Sequence, residues 1–403
     1  MSIHRTLRPE VPTLQELVML PPFGGEVGGY STEGDILPRV TQTLDNVDLN
    51  VIWQEMQEAL GKWNQERSKI VDLVSYWHTS PADAVPQGLI ESELELASEF
   101  GEPESMGPPS EYLLLGYTML DWDRAARFTW RFLRDADARQ VRAVLDEAMR
   151  SDNTTVTRRI LNRLFNPSAE LNEQGHTCYG LWNGTDGLAP PSTLGKTFDA
   201  NHTHYLTSGN DAVDSGDLEV AIKHIREHGY GLTDSQEQLI CFVHPTESEV
   251  IQGFHAGVEN NNSQIAKWDF IPAANQPAFI ISTGGQLVGT QPPGTVFGLP
   301  SVGKYGPLWI VESNFIPEHY MAVVATAGPG SSSNAVGVRQ HPNRAYQGFR
   351  QLPGAQPGYP LQDSFFTRTF GVGTRHRGAA LITQFTDEPT YTAPSIVAAD
   401  ISA

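Results

Sequence analysis

The longest periodic run of apolar positions lies in residues 138–165, where apolar side chains recur every three or four residues, as on one face of a helix. These positions are Val141, Val144, Leu145, Met149, Val156, Ile160, Leu161 and Leu164. Asp137 and Gln140 fit a capping box before the run, and Pro167 follows it. The pattern therefore predicts a helix roughly 40 Å long, which suits a strut. The polar run 151–153 could instead divide it into two shorter helices.

Three other segments have helical spacing. Residues 49–70 carry one apolar stripe, which needs a partner surface. Residues 217–229 predict a second helix with three apolar residues facing inward and Gly229 as its stop. A third helix is predicted at 248–259.

Strands are predicted between these helices. The segments 71–80 and 111–120 are strand-like, and 127–134 alternates in a way that places Phe128, Trp130 and Phe132 on one face of a sheet. Buried strands are predicted for the later runs QLICFV, AFIIS, PLWIV, HYMAVVATA and GAALITQF. Helices and strands mixed without a repeat period indicate an α+β protein.

The chain is strongly acidic, with 27 Lys and Arg against 47 Asp and Glu, for a net charge of −20. Such a charge disfavours tight binding to DNA or to an anionic membrane. No run of 18 apolar residues occurs, and the start MSIHRTLRPE lacks the order of a signal peptide, so we expect a soluble protein made in the cytoplasm. Two cysteines exclude a disulfide framework and a Cys-rich zinc site.

The charges are unevenly placed. Six Glu lie between 91 and 104, whereas residues 124–163 contain ten Arg and only five Asp or Glu. Six carboxylates so close together repel one another unless they are solvated or face cations. An acidic and a basic segment therefore lie near each other in the sequence.

Common enzymatic signatures such as the phosphate-binding loop, the dinucleotide fingerprint and the zinc-protease helix are absent from the sequence. His176, Cys178, His202 and His204 are the best metal candidates, because H-x-C and H-x-H are soft-ligand pairs that two strands could bring together. Residues two apart share a strand face by default, however, so such pairs are common without a metal. We expect no metal site, cofactor or catalytic residue.

Three further features have structural explanations that outweigh chemical ones. The glycines of TFGVGTRHRG (369–378) could cradle a phosphate, but a bend whose basic residues pair with a carboxylate is favoured. Asp211 and Asp214 could act as an acid–base pair, although solvated carboxylates are the expectation on an acidic surface. Cys241 lies in an apolar run and is expected to be a small buried hydrophobe.

The order of segments resembles the major capsid protein of tailed bacteriophages with the Hong Kong 97-type fold. Specific stretches are similar to capsid proteins from phages of actinobacteria: FTWRFLRDADARQVRAV (128–144), LNRLFNP (161–167), GHTCYGLWNGTDGLAPPSTLGKTF (175–198), HYLTSG (204–209), RQHPNRAYQGFR (339–350) and YPLQDSFFTRTFGVGTRHRGAA (359–380). They span the chain from about residue 49 to its end, whereas the first 48 residues match only loosely.

The resemblance implies five segments. They are an N-terminal arm with an amphipathic helix (1–71), an extended loop (72–134), a peripheral domain with a spine helix (135–210), an axial domain (211–338) and a return segment of the peripheral domain (339–403).

The resemblance also implies a function without catalysis. Copies of the chain would form pentamers and hexamers of an icosahedral shell that encloses the DNA genome and expands as DNA is packaged. Implied partners are a portal protein, a possible decoration protein and double-stranded DNA touched weakly and non-specifically. Because residues 1–48 look too short and Gly-rich for a scaffolding segment, a separate scaffolding protein is expected. The protein would be made in the host cytoplasm and reside in the virion.

Candidate interface residues follow from the charge pattern. We expect the acidic cluster of one subunit to pack near basic residues of its neighbour: Glu91, Glu93, Glu95, Glu99, Arg127, Arg131 and Arg134. Some members of this fold cross-link a Lys of the extended loop to a neighbouring Asn, but no Lys lies between Lys69 and Lys196. Two alternatives remain: an encapsulin-like nanocompartment shell of the same fold, and a metal-dependent hydrolase built on the His and Cys candidates.

Overall fold

A computed structural model describes residues 40–65, 68–87, 112–193, 195–233, 236–276, 290–355 and 359–394. The α-helices in these ranges are α1 (Leu49–Trp63), α2 (Lys69–Val74), α3 (Trp130–Asp135), α4 (Ala138–Phe165), α5 (Ser215–Glu227) and α6 (Pro245–Ile251). The strands are β1 (Ser75–His78), β2 (Ala82–Pro86), β3 (Tyr112–Gly116), β4 (Leu120–Arg127), β5 (Glu170–Leu171), β6 (Thr177–Cys178), β7 (Tyr205–Thr207), β8 (Gln238–Val243), β9 (Phe270–Pro272), β10 (Thr295–Val296), β11 (Leu299–Pro300), β12 (Gly303–Tyr305), β13 (Leu308–Glu312), β14 (Tyr320–Thr326), β15 (Val336–Gln340), β16 (Phe349–Pro353), β17 (Asp363–Thr374) and β18 (Ala380–Gln384). The α+β class is confirmed.

Helix α4 is a single helix of 28 residues, so the division at 151–153 does not occur. Asp137 accepts a hydrogen bond from the backbone of Gln140, whose side chain accepts one from the backbone of Asp137. This is the predicted capping box. Asn166 ends the helix immediately before Pro167.

The prediction of one helix over 49–70 is wrong, because α1 ends at Trp63 and α2 begins at Lys69. Asn64 explains the end of α1. Its side chain donates to the carbonyl of Phe349 at 2.8 Å and accepts from the same residue's backbone N–H at 2.7 Å. These two bonds to β16 fix Asn64 as the helix cap, so tertiary contacts override the continuing apolar stripe.

The prediction of a strand over 127–134 is also wrong. Strand β4 ends at Arg127, and the Thr129 hydroxyl accepts a hydrogen bond from the backbone of Phe132, which starts helix α3. The alternating aromatics therefore do not share a sheet face. Phe128 instead stacks on Phe132 with ring centroids 5.3 Å apart. The predicted strand 71–80 is likewise split between the end of α2 and β1.

One sheet has five strands centred on the long strand β17. Its order is β1-β15-β17-β16, with β4 also paired to β17. A smaller core lies beside this sheet, where the stripe of α1 packs with the first half of α4 and with Phe349 and Phe366. The stripe of α1 thus has the partner surface that it was expected to need.

The second sheet has seven strands in the order β7-β18-β14-β8-β13-β12-β9 and contains the main core. Helix α5 packs on it through Leu218, Ile222 and Ile225, as predicted. The helix predicted at 248–259 is instead the shorter α6, which begins earlier because His244 caps it and Pro245 occupies its first turn. The predicted strand AFIIS lies outside the described residues. Among the helices that are described, none is long and apolar enough to cross a bilayer.

Candidate assembly surface

Strands β2 and β3 form an antiparallel hairpin, paired from Ala82 with Gly116 to Pro86 with Tyr112. Tyr112 and Leu114 are large apolar side chains that the subunit leaves exposed. Val85 and Leu115 are buried. The hairpin therefore has one face packed on its own subunit and one apolar face directed outward. The predicted interface residues Glu91, Glu93, Glu95 and Glu99 lie outside the described residues.

Two of the three predicted interface arginines have partners within the subunit. Arg127 Nε lies 3.3 Å from Asp363 Oδ1 across the β4–β17 pair. Arg134 forms a two-pronged contact with Asp135, at 2.6 and 2.7 Å, which holds the pKa of that carboxyl below its usual range. Both pairs are exposed, so each contributes little to stability.

Helix α3 presents a mixed basic and aromatic face. Trp130 and Phe132 are exposed, and the guanidinium carbons of Arg131 and Arg134 each lie 5.4 Å from the centroid of the Trp130 ring. Leu133 points the other way and is buried. Within the described part of the chain, Arg131 forms no ion pair. We call residues 130–134 the α3 patch.

Other arginines of the basic segment are engaged inside the subunit. Arg124 pairs with Glu147 at 2.5 Å, and Arg142 with Glu55 at 2.8 Å. Arg163 is buried and donates to two backbone carbonyls beyond the end of α4. Fewer arginines of 124–163 are therefore available to a neighbouring subunit than the net charge of the segment suggests. The α3 patch differs because its Arg131 forms no ion pair within the described residues.

The segment 369–378 is structural. Gly371 and Gly373 lie within β17 rather than in a loop around a phosphate, whereas the expected bend follows the strand at 375–379 and contains Gly378. The expected pairing of the basic residues with carboxylates is confirmed, since Arg375 pairs with Asp83 and Arg377 with Asp186. Arg377 is fully buried and also donates to the carbonyls of Gly180 and Leu181, so it anchors loop 180–186 beneath the sheet.

The other chemical candidates are likewise structural. Asp214 caps α5 by accepting from the backbone of Asp217 at 3.0 Å, and it also accepts from the side chain of Asn262 at 2.9 Å. It is therefore a helix cap rather than half of an acid–base pair with Asp211. Cys241 is fully buried, as predicted, and burial raises the pKa of its thiol.

The structure does not bring the four metal candidates of the sequence together. His202 and His204 do lie together, but their companions are His224 and His228 of helix α5 and its cap, and the described residues place neither His176 nor Cys178 with them. The ligand set predicted for the alternative metal-dependent hydrolase, His176, Cys178, His202 and His204, is therefore wrong. His224 and His228 are four positions apart on a predicted helix, so they lie on the same helix face. This spacing could have indicated from the sequence that the two histidines belong to one site.

Comparisons with known proteins identify the fold. A solved structure described as Mycobacterium phage Patience is 36% identical, and the match covers 93% of this chain and 98% of that chain with a TM-score of 0.69. The capsid of the cyanophage P-SCSP1u is 10% identical over 90% of this chain and 94% of that one, with a TM-score of 0.41. The mature capsid of bacteriophage PhiM1 is 12% identical over 79% and 87%, again with a TM-score of 0.41. No protein-family model and no curated protein match the chain.

The match at 36% identity, together with the long helix α4 and the two sheets, places the chain among the subunits of viral shells. The chain belongs to the major capsid proteins of tailed bacteriophages with the Hong Kong 97-type fold. Its function is to build the capsid, and related capsid proteins are structural rather than enzymatic.

Proposed function

We propose that subunits join through the extended loop 72–134, which includes the α3 patch at its end. The joined subunits form pentamers and hexamers of an icosahedral shell. The observation that carries this proposal is the exposure of large apolar side chains along one stretch of chain. Tyr112, Leu114, Leu120, Trp130 and Phe132 are all exposed in the subunit. Exposed apolar groups clustered in this way mark protein contact surfaces.

The charge pattern supports a specific pairing. The acidic cluster that includes Glu91, Glu93, Glu95 and Glu99 would face the α3 patch of a neighbour, where Arg131 has no carboxylate partner within the described ranges. A single exposed pair is weak, at about 0–1 kcal/mol. Repetition over a closed lattice makes many such contacts effective, because each bound neighbour holds the next contact in place.

Charge reversal tests this pairing. Arg131→Glu should abolish or strongly reduce shell formation, measured by sedimentation and negative-stain microscopy, while circular dichroism of the subunit stays unchanged. Arg139→Glu is the matched control, because Arg139 is an exposed arginine one helix away whose partner Asp137 lies in its own subunit. Adding Glu95→Arg to Arg131→Glu should restore assembly in part. Normal shells from Arg131→Glu would contradict the pairing.

The segment roles are part of the proposal. Residues 1–71 would be the arm, 135–210 with 339–403 the peripheral domain around the spine helix α4, and 211–338 the axial domain. The seven-stranded sheet takes β7 and β18 from outside 211–338, so the two domains would share a continuous core.

Partners follow from the same role. A portal protein, a separate scaffolding protein and a possible decoration protein would complete the virion head, and the protein would be made in the host cytoplasm. Packaged DNA would be touched only weakly, because a net charge of −20 repels phosphate. Salt-insensitive DNA binding by isolated subunits would contradict that expectation.

A further inference from the structure

Four histidines converge between a loop and a helix. His202 and His204 precede strand β7, and His224 and His228 lie at the end of α5. One ring nitrogen from each lies within 4.8 Å of the nitrogens offered by the other three. His204 and His228 are 0% and 1% exposed. The two buried imidazoles need a stabilising partner, because buried polar groups are costly when unpaired.

The hydrogen bonds of two histidines leave lone pairs for a ligand. His204 Nδ1 lies 2.6 Å from the carbonyl oxygen of Ala380 and donates to it, which leaves Nε2 as an acceptor. That Nε2 is buried and has no hydrogen-bond partner among the described residues. His224 Nε2 lies 3.1 Å from the carbonyl of Thr203, which leaves Nδ1. Metal-binding histidines use this arrangement, with one nitrogen donating to a carbonyl and the other on the metal.

The other two histidines complete the set. His202 Nε2 and His228 Nε2 are 2.7 Å apart. Ligands at 2.0–2.1 Å around a tetrahedral ion would be about 3.3 Å apart, so binding requires this pair to open slightly and the widest pair to close. A hydrogen bond between the two rings is the competing explanation, but it leaves the buried His204 Nε2 unpaired.

The groups around the four rings are either apolar or paired with one another. Lys196 and Lys223, the two lysines beside the cluster, both pair with Glu227. Phe198 stacks on His228 at 4.1 Å and shields the cluster.

We propose that His202, His204, His224 and His228 bind one divalent transition-metal ion of the zinc class. An all-imidazole donor set suits Zn²⁺ rather than Mg²⁺ or Ca²⁺, which prefer oxygen ligands. Four protein ligands leave no open coordination position, so the site is structural rather than hydrolytic. The ion joins the loop before β7 to α5 and, through the Ala380 carbonyl, to β18. This inference is independent of the proposed subunit contacts.

The test uses the full-length, untagged protein as assembled shells. The shells are treated with a chelator, dialysed, saturated with ZnCl2 and dialysed again, and bound zinc is measured by mass spectrometry. We expect one ion per chain, and density between the four rings in a cryo-electron microscopy map. Co²⁺ in place of zinc should give the intense visible absorption of a tetrahedral site. Less than about a tenth of an ion per chain in wild-type shells would overturn the proposal and leave the ring-to-ring hydrogen bond.

Variants assign the ligands. His224→Gln should lower bound zinc at least tenfold, whereas His255→Gln, which alters an exposed histidine outside the cluster, should retain one ion per chain. Wild-type levels of zinc in a folded His224→Gln protein would overturn the assignment. If that variant does not fold, the wild-type map decides, because zinc density away from the four rings would overturn it equally.

Discussion

The indole Nε1 of Trp63 donates a hydrogen bond to Oδ2 of Asp152 at 2.9 Å, which ties the last turn of α1 to the middle of the spine helix α4. Arg368 of β17 donates to the same oxygen at 2.5 Å. The Asp152 side chain is only 3% exposed, and burial raises its pKa while these two donors oppose that shift. One carboxylate therefore joins three elements of the smaller core.

Asp152→Ala should lower the free energy of unfolding of the subunit by about 3–5 kcal/mol, because it removes the carboxylate that faces the largely buried charge of Arg368. Denaturant titration followed by circular dichroism measures this loss. Asp146→Ala changes an exposed carboxylate on the same helix and should cost less than about 0.5 kcal/mol. Equal losses in the two variants would show that the buried pair is not what stabilises this junction.

Gly371→Ala should strongly destabilise the subunit, because a Cβ at this position would overlap the backbone carbonyl of Thr118, which crosses β17 at close range. Gly61→Ala is the matched control. Gly61 lies in α1 with open space around it, and alanine there should stabilise the helix by roughly 0.5–1 kcal/mol. Thermal unfolding of the two variants should therefore shift in opposite directions. A neutral Gly371→Ala would contradict the tight crossing.

Leu114→Asp should impair shell assembly while leaving the stability of the subunit within about 0.5 kcal/mol, because this side chain is 52% exposed on the outward face of the hairpin. Light scattering during assembly and denaturant titration of the subunit separate the two effects. Ile265→Asp, at an isoleucine 65% exposed outside the hairpin and its flanking strands, is the control and should assemble normally. Full assembly by Leu114→Asp would remove the hairpin from the proposed contact.

The stability of α5 should depend on the ionisation of Asp217. Burial raises the pKa of this carboxyl from 3.8 to about 7. The folded state then binds the proton more tightly than the unfolded state, so this contribution is complete below about pH 4 and is lost as the pH rises towards 7. Asp217→Asn keeps the bond from the Asp214 backbone but does not titrate. Its free energy of unfolding relative to wild type should therefore increase from pH 4 to pH 7, by roughly 1 kcal/mol or more. A constant difference would contradict the shift.

Shells boiled in detergent should run as single chains near 44.3 kDa. No Lys lies between Lys69 and Lys196, so the extended loop lacks the side chain that some members of the fold use for covalent cross-linking. Denaturing gels of mature particles measure this directly. A ladder of covalent multimers would show that another residue serves as the cross-linking group.

Local signals predicted the spine helix well. Asp137, Gln140 and Pro167 mark its ends without help from the rest of the fold. Helix α3 was not predictable from alternation, because the three alternating aromatics of 127–134 satisfy a strand pattern and the deciding cap at Thr129 is a single hydroxyl. The end of α1 depends on Asn64 reaching β16, a contact almost three hundred residues away in sequence.

The histidine cluster was likewise only partly predictable from the sequence. The H-x-H pair at 202 and 204 was visible in the sequence, and so was the four-residue spacing of His224 and His228 on a predicted helix. Their meeting depends on how loop 198–204 folds back on α5, where Phe198 packs against His228. The sequence favoured His176 and Cys178 instead, because H-x-C and H-x-H are both two-residue pairs of soft ligands.

Strand β18 has a consequence for the timing of folding. It lies between β7 and β14 in the larger sheet, yet it is formed by residues 380–384. A nascent chain therefore lacks an inner strand of its main core until residues 380–384 have been synthesised. The larger sheet, and with it a subunit able to engage neighbours, should therefore form only after every other strand of that sheet has been made.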